Sequence, residues 1–253
     1  MEDTAHVRYF MRLSYSGANY HGWQSQPNAV TVQSEIEDAL SKILRSPVKI
    51  TGAGRTDTGV NAKMMIAHFD VPSAIADPDS IVRGLNSILG KDIAIESIVR
   101  VHDDAHARFD ATSRTYHYYI HMHKSPFLYP FSWQAPPCLD FEKMNECGEY
   151  LTHVVDFTSF SKLHTDVKTN NCKVSHAAWH KLDDDRWVFI ITADRFLRNM
   201  VRAVVGTLID VGRGKLTVDG FKKVVEARDR CKAGTSMPPH PLFLWDITYH
   251  YEL

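Results

Sequence analysis

The chain of 253 residues lacks the segments that mark secreted and membrane proteins. Its opening, Met1-Glu-Asp-Thr-Ala-His-Val7, has no basic stretch and no apolar core, so we expect no secretory signal. No uninterrupted apolar run approaches the length of a membrane span. The four cysteines form no CxxC pair and are interpreted as free thiols in a reducing compartment. These absences predict a cytoplasmic protein.

The chain also lacks a large excess of charge of either sign. The formal net charge is −1, and hydrophobic and charged residues make up 44% and 23%, values that are ordinary for a globular protein. A neutral chain can still carry a local basic surface, so the composition does not exclude a nucleic-acid partner.

No low-complexity linker divides the sequence. The periodicity of its hydrophobic residues indicates strands and helices in each half, which is typical of two α+β units. We predict two packed lobes of mixed or antiparallel sheet with helices on one face, at 1–104 and 105–253. Strands are predicted near 7–15, 48–50, 64–71, 93–101, 115–122, 174–182, 186–192 and 242–251. Helices are predicted near 32–44 with Thr31 as N-cap, and near 78–89, 141–151, 196–211 and 218–228.

The most unusual stretch is Thr51-Gly-Ala-Gly-Arg-Thr-Asp-Thr-Gly-Val60, which places Arg55 and Asp57 among three glycines. An ion-pair turn between two strands is the commoner origin of such a loop, and a catalytic loop is the alternative. A phosphate-binding loop would lead into a helix or end in Gly-Lys-Ser/Thr. Here a strand follows the loop, and no Gly-Lys-Ser/Thr is present. The loop therefore matches neither the dinucleotide-binding motif nor the nucleotide-binding motif.

Asp57-Thr-Gly59 also matches the short signature of aspartic proteases. That chemistry needs two carboxylates sharing one proton. The tripeptide occurs once, so a dimeric protease would need the second copy from its partner. This remains an alternative.

The apolar pattern of 196–211 predicts a buried helix that carries Arg195, Arg198 and Arg202 as a basic stripe on one face. An arginine as far along as Arg202 needs an anionic partner, because an unpaired buried charge is very costly. The partner is either any nearby acid, in a structural salt bridge, or Asp57.

The predicted strand 115–122 is rich in aromatic residues and histidine. Alternation places Tyr116 and Tyr118 on one face, where a tyrosine either joins the core or stacks on an unpaired base. His117, His121 and His123 share the other face. Because no further ligand stands at close spacing, we predict no metal site there.

The segment Gly54-Arg-Thr-Asp-Thr-Gly-Val60 resembles the catalytic signature of the TruA-type tRNA pseudouridine synthases. Further matching blocks follow the family's order over nearly the whole chain. They are Tyr15-Ser-Gly17, Tyr20-His-Gly-Trp-Gln24, His106-Ala-Arg-Phe109, Asp156-Phe-Thr-Ser-Phe160, Met200-Val-Arg-Ala-Val-Val-Gly-Thr-Leu208 and Leu242-Phe-Leu244. The chain departs from the pattern at Ser16, Asn61 and Pro241, where the family commonly has Asp, His and Gly. It also lacks the glycine that usually precedes Asp156.

The resemblance implies a homodimer of the pseudouridine synthase fold with a basic cleft between its lobes. It implies an isomerase that converts uridine to pseudouridine at positions 38, 39 and 40 of the tRNA anticodon stem-loop, without cofactor or metal. Asp57 matches the nucleophile, Arg55 the arginine that displaces the target base, and Tyr116 the tyrosine that stacks on it. Arg202 matches the arginine that pairs with the aspartate, and Leu242 an apolar residue of the base pocket. Tyr116 is also a candidate to accept or relay the C5 proton in the final step. A non-catalytic tRNA-binding or chaperone protein of the same fold is the alternative.

Overall fold

The computed structural model describes residues 6–162 and 169–251. By their internal contacts the residues form two compact units. Unit 1 consists of Met1–Thr112 and Leu244–Leu253, and unit 2 of Ser113–Phe243. Unit 1 therefore includes most of the final strand as well as the N-terminal elements.

In its described residues, unit 1 is a sheet with two α-helices. It contains β1 (Val7–Tyr15), α1 (Val32–Leu44), β2 (Ile50–Gly52), β3 (Asn61–Val71), α2 (Pro78–Ile88), β4 (Ile93–Arg100) and most of β9 (Leu242–Tyr249). The strand order is β4-β1-β3-β9, and β2 pairs with β3. Strand β1 is paired antiparallel on both sides, with β3 and with β4, and is the centre of this unit.

Local sequence signals explain where these elements begin. Met11 and Leu13 of β1 are completely buried, as the alternating pattern predicts. Helix α1 begins after Thr31, whose hydroxyl oxygen accepts from the Ser34 N–H in a capping box, so the predicted N-cap is confirmed. Helix α2 begins at Pro78, where the absent N–H costs no helical hydrogen bond.

In its described residues, unit 2 combines three principal strands with three α-helices. It contains most of β5 (Ala111–His121), then β6 (Trp133–Gln134), α3 (Phe141–Leu151), β7 (Val174–Lys181), β8 (Arg186–Ala193), α4 (Met200–Gly212) and α5 (Val218–Glu226). The order is β5-β8-β7 in antiparallel pairs, with the short β6 parallel to β5. Helix α3 packs on β7, and its bounds are those predicted.

The fourth helix begins later than its apolar pattern predicts. Asn199, its N-cap, has a left-handed backbone with φ of 66°, and α4 starts at Met200. Arg195 and Arg198 therefore precede the helix. The predicted stripe of three arginines on one helical face is wrong, and Arg202 alone of the three lies on α4.

Both units combine antiparallel strand pairs with helices, which confirms the predicted α+β class. Among the helices of the described ranges, none has both the length and the apolar character that a membrane crossing requires.

Candidate active site

The loop that carries Asp57 is closed by a tight turn. It leaves the β2–β3 pairing at Ala53, whose N–H donates to the Ile66 carbonyl at 2.8 Å. It ends where the Val60 N–H donates to the Asp57 carbonyl at 3.1 Å. Gly59 lies between them with φ of 78°, the value that the third position of a type II turn requires. The sequence thus fixes the backbone of Asp57 as the first residue of a β-turn.

Side-chain burial divides the loop into anchors and accessible groups. Ala53, Thr56 and Val60 are 1%, 7% and 2% exposed. Arg55 is exposed and Asp57 is half-buried. The loop therefore leaves its two charged groups, a guanidinium and a carboxylate, accessible, while three of its other residues are buried and anchor it.

The segment after β1 packs against this loop. The Trp23 N–H donates to the Thr56 carbonyl at 3.2 Å, and the Gly17 N–H donates to the Asn61 side-chain oxygen at 2.9 Å. The Tyr15 hydroxyl lies 2.8 Å from the Thr56 hydroxyl oxygen. Asn61, one of the departures from the family pattern, thus supplies a buried acceptor that ties the two segments together. Sequence reasoning did not find these contacts, because they join segments about 40 positions apart.

A buried carboxylate supports the strand that leads into the loop. Glu37 of α1 is 6% exposed, and its Oε1 accepts from the Ile50 N–H at 3.1 Å and from Gln33 Nε2 at 2.9 Å. Lys49 Nζ lies 2.8 Å from Glu37 Oε2. The apolar stripe of α1 gave no sign of this residue, because a glutamate beside the stripe is ordinarily solvent-exposed.

Tyr116 lies on β5 opposite Ile191 of β8 and is half-buried. Its ring packs edge-on against Phe196, with centroids 4.9 Å apart. The neighbouring Tyr118 is a core residue, since its side chain is completely buried and its hydroxyl donates to the Pro238 carbonyl at 3.2 Å. Burial raises the pKa of Tyr118. Of the two tyrosines, Tyr116 is the one with accessible surface.

Arg202 lies in the first turn of α4 and is half-buried. Its Nε donates to the Met237 carbonyl at 2.6 Å, and the Met237 N–H donates to the Arg202 carbonyl at 3.1 Å. This reciprocal pair fixes the base of the guanidinium. A guanidinium has five N–H donors in a planar fork, so four lie beyond the Nε–Met237 bond.

Leu242 is the first residue of β9 and is 4% exposed. Its N–H donates to the Pro239 carbonyl at 3.0 Å, and the Pro241 carbonyl accepts from the Tyr119 N–H at 3.1 Å. Pro241 stands where the family commonly has Gly, and its carbonyl anchors the segment to β5. Of the predicted site residues, Arg55 and Asp57 lie in unit 1, whereas Tyr116, Arg202 and Leu242 belong to unit 2.

The histidines of β5 and its continuation each have a different neighbour. The three contacts are His117 Nδ1 with the Tyr119 hydroxyl at 3.1 Å, His121 Nδ1 with the Ser132 hydroxyl at 2.9 Å, and His123 Nδ1 with Asp185 Oδ1 at 2.7 Å. Burial lowers the pKa of His117 to about 4. Over residues 6–162 and 169–251, no three His, Cys, Asp or Glu side chains are grouped to hold a metal ion.

An open cavity of about 410 Å³ lies elsewhere on unit 1, and none of the predicted site residues lines it. Its polar groups bond to each other: His102 Nδ1 lies 2.6 Å from Asp104 Oδ1, and the Tyr251 hydroxyl donates to Asp110 at 3.0 Å. Size alone does not make this cavity the reaction site, because it lacks the loop carboxylate.

Comparison with known proteins gives matches along nearly the whole chain. The sequence model of a family described as tRNA pseudouridine synthase matches residues 12–110 and 140–250. A tRNA pseudouridine synthase A of Parabacteroides distasonis is 60% identical over 246 residues, which are 97% of this chain and 97% of the relative. Proteins of the same name are 54% identical in Bacteroides fragilis (97% and 98% covered) and 35% identical in Exiguobacterium sibiricum (96% of each).

Proposed function

Because the chain belongs to the tRNA pseudouridine synthase family, we propose that it acts on uridines 38, 39 and 40 in the tRNA anticodon stem-loop. The enzyme is an isomerase that converts uridine in tRNA to pseudouridine. Neither the non-catalytic tRNA-binding protein nor the aspartic protease is favoured by these relationships. The choice of stem-loop and positions rests on the ordered sequence blocks that the chain shares with TruA-type enzymes.

The observation that carries the mechanism is the position of Asp57 within the Gly54–Val60 signature, on a turn that holds its backbone. Pseudouridine formation breaks the N1–C1′ bond, rotates the uracil and joins C5 to C1′, with no change of oxidation state. An aspartate is ordinarily ionised near neutral pH and offers an oxygen nucleophile that can leave again. In this proposal Asp57 attacks the base or C1′, or assists elimination from the sugar, and is regenerated in each case.

The other site residues receive roles that suit their chemistry. Exposed Arg55 displaces the target base, which must leave its stack before it can react. Tyr116 stacks on the displaced uracil and accepts or relays the C5 proton in the final step. Arg202 pairs with the Asp57 carboxylate, and the Met237 carbonyl sets the orientation of its guanidinium. Leu242 forms an apolar wall of the uracil pocket.

The working enzyme is proposed to be a cytoplasmic homodimer that recognises tRNA through its shape and phosphates. Cationic side chains provide most of the affinity in such recognition, and it weakens as salt rises. Analytical ultracentrifugation tests the dimer directly. A monomer at all concentrations would contradict it.

Release of tritium from tRNA labelled at C5 of uridine tests the reaction, because forming the C5–C1′ bond expels that hydrogen. We expect release by the wild type, none by Asp57→Ala, and none by the near-isosteric Asp57→Asn. Equal release by Asp57→Ala would rule out its role. Salt-sensitive tRNA binding by a wild type that releases no tritium would instead support the non-catalytic alternative.

Pseudouridine mapping in tRNA tests the positions. A strain that lacks this chain should lose pseudouridine at 38, 39 and 40 and regain it when the chain is supplied. Restoration at another stem-loop would contradict the proposed specificity while leaving the reaction intact.

A further inference from the structure

Thr56, the residue before Asp57, is held through two atoms. Its hydroxyl shares a buried hydrogen bond of 2.8 Å with the Tyr15 hydroxyl, and its carbonyl accepts from the Trp23 N–H at 3.2 Å. Tyr15 and Thr56 are 5% and 7% exposed, so water competes little for the hydroxyl pair. Asp57 therefore follows a residue whose side chain and main chain are both restrained.

Tyr15 is itself fixed before it reaches Thr56. It is the last residue of β1 and pairs with Ala62 of β3, the strand that continues from the loop. Its ring stacks on Trp23, with centroids 6.0 Å apart and an interplanar angle of 29°. Strand pairing and ring stacking thus restrict where the Tyr15 hydroxyl can move.

The residues that follow Tyr15 also approach the Asp57 loop closely. A Cβ atom on Gly17 would lie 2.1 Å from the Val60 carbonyl oxygen, so only glycine allows the two backbones to meet there. Val60 closes the turn that begins at Asp57. The segment from Tyr15 to Trp23 therefore contacts the loop on both sides of the carboxylate residue.

We propose that Tyr15 is a positioning residue for the isomerisation, acting on Asp57 through its hydroxyl pair with Thr56. The inference rests on the proposed role of Asp57 as the nucleophile. A nucleophile must approach the atom it attacks to about 3–3.5 Å, and a displacement of about 1 Å can slow a reaction about 100-fold. A buried bond one residue from Asp57 limits such a displacement.

The test removes each hydroxyl in turn, with Tyr15→Phe and Thr56→Val, and measures kcat and KM by tritium release from C5-labelled tRNA. We expect each variant to lower kcat about tenfold or more, because Asp57 loses its alignment. KM for tRNA should stay within about twofold, since neither hydroxyl is assigned a contact with RNA. The double variant should lose no more than either single variant, because all three lack the same bond.

Tyr9→Phe is the matched control. Tyr9 lies on the same strand, is 2% exposed, and its hydroxyl accepts from the Ile75 N–H at 2.9 Å. This control also loses a buried tyrosine hydrogen bond, but away from the Asp57 loop, so its kcat should remain that of the wild type. Thr56→Ser keeps a hydroxyl and should retain most of the rate.

Wild-type turnover by Tyr15→Phe would overturn the inference, as would an equal fall in Tyr9→Phe or additive losses in the double variant. Asp57→Ala separates this result from failure of the proposed function. An inactive Asp57→Ala beside a fully active Tyr15→Phe removes only the positioning role, whereas an active Asp57→Ala removes the nucleophile as well. If circular dichroism shows that Tyr15→Phe does not fold, Thr56→Val tests the same bond from its other end.

Discussion

Gly22 lies against the carbonyl of Thr56 so closely that a Cβ atom would stand 2.5 Å from the oxygen. Its φ is 86°, a conformation that L-residues rarely adopt. The two facts have one origin, since the chain must turn sharply at Gly22 for the Trp23 N–H to reach the same carbonyl.

Gly22→Ala should therefore destabilise the protein and reduce its activity. The unfavourable φ alone costs about 1–3 kcal/mol, and the backbone contact adds to that. Urea denaturation gives the change in unfolding free energy, and tritium release gives the change in kcat. A variant as stable and active as the wild type would show that the segment can retreat from Thr56.

Gly54 provides the opposite case within the same loop. Apart from its two chain neighbours, no atom of the described residues lies within 4 Å of the place its Cβ would occupy, and its φ is not in the left-handed range. We expect Gly54→Ala to leave stability within about 1 kcal/mol of the wild type, because it adds no clash and restricts the unfolded chain. If the glycine serves the close approach of RNA, KM for tRNA should rise while the urea midpoint holds. A large loss of stability with unchanged KM would assign Gly54 to folding instead.

Glu37 should contribute more to stability than its partner Lys49, although the two form one ion pair. Glu37→Ala leaves the buried Ile50 N–H without its acceptor, which costs about 1–3 kcal/mol. The Lys49 side chain is 86% exposed, so Lys49→Ala should cost less than about 1 kcal/mol. Urea denaturation of the two variants measures both quantities. Equal losses would mean that the ion pair, and not the buried acceptor, supports β2.

His68 should make stability depend on pH below neutrality. Its Nδ1 accepts from the Ala107 N–H at 3.1 Å, and burial, assisted by the charge of Arg8, lowers its pKa from 6.5 to about 4. The unfolded chain therefore binds a proton at higher pH than the folded one. His68 contributes its full stability above about pH 6.5, and this contribution is lost as pH falls from there towards 4.

His68→Asn keeps a side-chain acceptor but cannot be protonated in this range, so its urea midpoint should fall less between pH 7 and 4.5. Histidine titration by NMR provides an independent measurement. A His68 resonance that titrates near pH 6.5 would contradict the prediction.

Local signals in the sequence predicted most of the elements. The Thr31 cap gave the start of α1, and apolar periodicity gave α3 with its observed ends. The predicted start of α4 was wrong, because Phe196 and Leu197 continue the apolar spacing of the helix although they precede it. The left-handed backbone of Asn199 separates these residues from the helix, and hydrophobic periodicity cannot predict such a backbone conformation.

The candidate site was predictable only in part, for a different reason. Asp57 could be singled out because its chemistry and its signature lie within one short segment. The Tyr15–Thr56 bond joins residues 41 positions apart, and the acceptor role of Glu37 depends on a backbone N–H 13 positions away. Such contacts arise when segments meet in space, so no short stretch of sequence contains them.

The final strand has a consequence for the order of synthesis. The Tyr249 hydroxyl donates to the Ala107 carbonyl, and the hydroxyl oxygens of Thr248 and Thr112 lie 2.8 Å apart. Residues near the end of the chain thus complete unit 1. A polypeptide emerges from the ribosome N-terminus first. The sheet of unit 1 therefore lacks β9 until all of unit 2 has been translated. An open sheet edge is prone to wrong pairing, so the nascent chain is most exposed to aggregation during this interval.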